Sequence, residues 1–103
     1  MAIELRTARG PYLLKLAKEP EILGDGTVLT LALERRDGIE TIALRCRIAA
    51  SLVAAQDSDA LLGRIAPWLE REFEMTREHA LKSIRTDHQL LELVFDLSNR
   101  GPF

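Results

Sequence analysis

An Asp37-Gly38 pair between two alternating apolar runs is the feature that most restricts what this chain can become. Upstream, residues 27–34 carry Leu29, Leu31 and Leu33 at every second position. Downstream, residues 39–48 do the same with Ile42, Leu44, Cys46 and Ile48. In a strand, successive side chains point to opposite faces. Asp-Gly supplies the positive φ angles that a tight connection needs. The pattern predicts an antiparallel β-hairpin over 27–48 with one apolar face turned to a core. Arg45 and Arg47 alternate with that apolar set, so they fall on the other face, toward solvent or a partner.

Beyond Ile48 the period changes. Residues 49–56 are alanine-rich and free of turn residues, which predicts a short helix. Asp57-Ser58-Asp59 interrupts it and offers an N-cap to the next element. Leu61, Leu62 and Ile65 form an apolar face, and Pro67 predicts a kink or a restart. From Trp68 onward, Leu69, Phe73, Thr76, Ala80 and Ile84 hold one helical face through spacings of three and four. Met75 and Leu81 flank that stripe. Whether 68–85 is one helix or breaks near Thr76 stays open. Residues 90–97 fit a strand with Leu91, Leu93, Phe95 and Leu97 inward. They also fit a helix opened by Thr86 and Gln89 and stopped at Gly101-Pro102. The strand is preferred, because a third strand gives a hairpin independent stability. Residues 1–26 are the least legible: Arg9-Gly10-Pro11 and Pro20 punctuate them, 12–19 reads as a short helix or an extended segment, and Gly24-Asp25-Gly26 reads as a turn.

Strands segregated from helices define an α+β fold: a small antiparallel sheet built on a β-hairpin, with two to four helices packed on one face. A length of 103 residues predicts a single domain spanning 1–103. Leu, Ile, Val and Phe make up 31 of those residues, enough for a conventional core without disulfide or metal staples.

Composition also removes function classes. The 14 Lys and Arg stand against 16 Asp and Glu, a net charge of −2, which is not the basic balance of a dedicated nucleic-acid binder. A single cysteine closes no disulfide within the chain. No apolar run approaches a membrane span, and the N-terminus lacks the basic-then-apolar layout of a signal peptide. The expected setting is the cytoplasm, with no membrane partner.

The residue types that carry chemistry do not assemble into a motif. Cys46 has Arg45 and Arg47 beside it, but strand geometry turns them away from the thiol, so a small buried core residue is the expectation. His79 and His88 lack the i,i+4 spacing of a helical metal pair, and no second cysteine exists. Glu70, Glu74 and Glu78 follow i,i+4 spacing and read as a solvated helix face. Gly24-Asp25-Gly26 matches neither phosphate-loop pattern, and no serine sits in a nucleophile elbow. No catalytic residue, metal ligand or cofactor is predicted. Two surfaces remain. Trp68, Met75 and Leu81 form a contact set for a protein partner, a second copy included. Arg35, Arg36, Arg45 and Arg47 form a basic hairpin face able to hold phosphate or read guanine. That face carries no aromatic residue for base stacking and is diluted by Glu34, Asp37 and Glu40. The expectation is a small non-catalytic interaction or regulatory module acting as a homodimer; the alternative is a nucleic-acid-binding module using the arginine face.

Overall fold

Leucine on alternate positions of a ten-residue strand organises the molecule. The computed structural model describes residues 2–24, 26–49, 58–86 and 90–95. The elements run β1 (Ile3–Thr7), β2 (Gly10–Leu16), β3 (Glu21–Leu23), β4 (Gly26–Arg35), β5 (Thr41–Ala49), α1 (Ser58–Arg71), α2 (Phe73–Arg85) and β6 (Leu91–Phe95). The sheet order is β1-β2-β4-β5-β6, with β3 also paired to β4.

The predicted hairpin is β4–β5. Leu29, Leu31 and Leu33 stand opposite Cys46, Leu44 and Ile42, and all six are fully buried. Gly38 takes a φ of 78°. Its N–H donates to the Arg35 carbonyl at 2.8 Å, and the Arg35 N–H donates to the Glu40 carbonyl at 2.8 Å. The connection is therefore a longer loop than a two-residue turn.

The described residues of 2–24 supply three strands, β1 to β3, and the helical reading of 12–19 is not realised. Ile3 and Leu5 on β1, and Tyr12, Leu14 and Leu16 on β2, continue the core face of β4 through the register Leu14 to Leu33 and Leu16 to Leu31. Lines β2 and β3 run along the same side of β4, interrupted around Pro20, which has no N–H to give a ladder.

On the other side, β6 pairs with β5 in parallel, so the sheet is mixed and the antiparallel expectation needs correcting. The cause is the connection. A chain that crosses the sheet through helices returns in its original direction, whereas a hairpin reverses it. The strand reading of 91–95 holds, with Leu91, Leu93 and Phe95 level with Leu44, Cys46 and Ile48.

Two helices are described, and both lie on the leucine face. α1 buries Leu61, Leu62, Ile65, Ala66 and Leu69, and α2 buries Phe73, Thr76 and Ala80. Ile84, the last residue of the predicted stripe, is 54% exposed. Pro67 does not restart a helix; it sits inside α1. Proline removes one hydrogen bond to the residue four back. Five buried apolar side chains along one face outweigh that loss. The break falls at Glu72 instead. There φ is −106° and ψ 25°, yet Glu72 N–H donates to Trp68 at 2.9 Å and Thr76 N–H to Glu72 at 3.0 Å. Of the short helix predicted over 49–56, Ala49 ends β5 and the remainder lies outside the described residues, as do His88 and Leu97.

Candidate functional site

The most developed polar constellation joins three elements at the end of the sheet where β4 turns into β5. Tyr12 comes from β2, Glu40 from the approach to β5, and Arg77 from α2. Phe73 and Arg77 are one helical turn apart, so the same flank of α2 that sets Phe73 on Tyr12, rings 4.6 Å apart at 53°, also brings the guanidinium down. Arg77 donates through Nε to Glu40 Oε1 at 2.8 Å and through Nη2 to Oε2 at 2.6 Å. The Tyr12 hydroxyl donates to Oε1 at 2.6 Å. Hydrogen bonding from Arg77 holds the Glu40 carboxyl down at about 2. The same bond raises the guanidinium of Arg77. Burial, then the neighbouring carboxylate, raise the Tyr12 hydroxyl. Each group is fixed in one protonation state near neutrality, which suits a clamp between α2 and the sheet and does not suit proton transfer.

Beside the clamp, α2 and the β1–β2 turn enclose an open cleft of about 390 Å³. Four of its charges are engaged in two pairs. Arg9 pairs with Glu74 at 2.9 Å, and Lys82 with Glu78 at 3.7 Å. Arg85 at the rim has no acidic partner among the described residues. Among those residues no group of three or more His, Cys, Asp or Glu is placed to hold a metal ion, and no helix is long and apolar enough to cross a membrane.

The arginines singled out from the sequence do not converge. Arg45 and Arg47 lie on the face of β5 away from the helices, while Arg35 and Arg36 flank the hairpin loop. Arg47 is bound to Glu92 at 2.9 Å and Arg35 to Asp37 at 3.0 Å, and Arg36 is paired with Glu4. A phosphate approaching three of the four has to displace a carboxylate. Cys46 points into the core, opposite in direction to Arg45 and Arg47, and burial pushes its thiol up to about 12. Trp68, Met75 and Leu81 part company as well. Trp68 is half-buried and stands edge-on to Phe95, ring centroids 5.6 Å apart at 89°. Leu81 is half-buried in the wall of the cleft, and Met75 is 44% exposed.

The two borders of the sheet differ more than any pair of pockets. At β1 the main chain is engaged: the Arg6 N–H donates to Glu70 Oε2 at 3.0 Å, an oxygen delivered by α1. Glu4 and Arg6 add charge to that border. At β6 the outer row of N–H and C=O groups has no partner among the described residues. Its sequence, Leu91-Glu92-Leu93-Val94-Phe95, holds one charge, and Arg47 already neutralises it. Trp68 braces the strand from below through Phe95. Sequence reasoning located β6 but not its exposure as a border, because strand order depends on pairing across the whole chain. Comparison of the chain with protein-family models, with curated proteins and with solved structures finds no match.

Proposed function

We propose that this protein is a non-catalytic interaction module that engages a protein partner by strand addition at β6. The observation that carries the reading is the nearly uncharged border Leu91–Phe95, which has no partner among the described residues, against a second border that α1 engages at Arg6. Unpaired strand edges are templates for another extended chain, and folded proteins normally blunt them with charge, proline or a covering element. Here Val94 is 39% exposed on the face away from the helices, and Leu91 and Leu93 are packed against the core. An added strand therefore finds a preformed backbone and alternate apolar positions. Trp68 belongs to this site as a support beneath Phe95.

A labelled synthetic peptide with the sequence of residues 90–95 tests the reading without knowledge of the natural partner. Saturable binding, with slowed amide exchange confined to Leu91–Phe95, is expected. Absence of binding together with unchanged exchange there removes the proposal.

A further inference from the structure

Resting on that reading, we infer that the partner strand is β6 of a second copy, paired antiparallel about a two-fold axis through Leu93. An axis normal to the sheet keeps both helical layers on one side, so directly opposed residues must belong to the same face. That restriction leaves few registers. Centred on Leu93, Leu91 meets Phe95 of the second copy and Leu93 meets Leu93 on the helix-covered face, while Glu92 meets Val94 on the other. Every opposed pair is apolar with apolar, or apolar with a carboxylate that its own Arg47 already binds at 2.9 Å. Centred instead on Glu92, the pairing sets two carboxylates directly opposite each other, which is unfavourable. The edge is thus complementary to itself when centred on Leu93, which opposes the most described residues, and it selects against the register centred on Glu92. Five residues bury less surface than a permanent dimer interface, so association is expected in about the micromolar range.

The register makes a charge test available at an exposed position. In Val94→Glu each new carboxylate faces Glu92 of the second copy; in Val94→Lys each new ammonium faces it. Sedimentation velocity over about a hundredfold concentration range should show reversible dimerisation of the wild type, weakened about tenfold in Val94→Glu and retained or tightened in Val94→Lys. Chemical denaturation at low concentration checks that both variants fold with the stability of the wild-type monomer. A chain that stays monomeric throughout, or a dimer that responds equally to both substitutions or to neither, overturns the inference. The peptide of residues 90–95 separates the two failures: a monomeric chain that still binds it loses the second copy but keeps strand addition at β6, and a chain that does neither loses both.

Discussion

The border at β1 and the border at β6 are built from the same kind of strand, five residues long, with alternate side chains in one core. Among the described residues, the first is engaged from outside and the second is not. At β1, charge occupies the outward positions, α1 supplies a carboxylate to the main chain, and the adjoining turn is tied to α2 through Arg9 and Glu74. At β6, a helix and a tryptophan support the strand from one face, and nothing among the described residues reaches around its side. The difference teaches that the sheet ends for two different reasons. Among the described residues, α1 engages the outer side of β1 at Arg6, and no strand lies beyond β6. The interface proposed above rests on the second kind of ending.

The largest effect is expected at the clamp that ties α2 to the sheet. Arg77→Met removes one partner of the bidentate pair and leaves Glu40 and Tyr12 partly buried without it. The Arg77 and Glu40 side chains are 20% and 21% exposed, so the cost should fall below the ~3–5 kcal/mol of a fully buried pair, at about 2 kcal/mol of unfolding free energy by urea titration. The pH dependence has a definite sign. Glu40 titrates near 2 when folded and near 4.5 when unfolded, so its contribution is complete above about 4.5 and is lost as pH falls toward 2. Wild-type stability should decline through that window, and Arg77→Met should flatten the decline.

A smaller effect is expected from Glu70→Ala, which frees the Arg6 N–H. Stability should drop by about 1 kcal/mol, and exchange of the Arg6 amide should accelerate while Leu91–Phe95 remains unchanged. If the two borders respond alike, the contrast between them is wrong. Smallest, and opposite in sign, is Thr76→Val on α2. The Thr76 hydroxyl is buried and has no hydrogen-bond partner among the described residues. An isosteric methyl removes an unsatisfied oxygen, so the midpoint of thermal unfolding should rise, by an amount corresponding to about 0.5–1 kcal/mol.

What the sequence revealed follows from how local each signal is. The β4–β5 hairpin was legible because its period and its Asp-Gly connection lie within about twenty residues of chain. The same period-two signal existed in Ile3 and Leu5, and in Tyr12, Leu14 and Leu16, but prolines at 11 and 20 obscured it. Both sit where a strand tolerates them, at the beginning of β2 and before β3. The helical stripe from Leu69 to Ala80 was legible for the same local reason, whereas the break at Glu72 was not, since packing against the sheet decides where a helix bends. The Tyr12–Glu40–Arg77 clamp joins residues 28 and 37 positions apart, and no spacing rule connects them. The exposure of β6 is a property of strand order, which no single segment encodes.

Cys46 sits level with Leu93, in the layer of core residues directly behind the open border. Its side chain is sealed among leucines and its proton is firmly held. It is the only cysteine among the 103 residues, and in the folded chain its buried thiol is not presented to a second copy. The dimer proposed along β6 should therefore form to the same extent under oxidising and reducing conditions, a comparison that sedimentation with and without reductant checks.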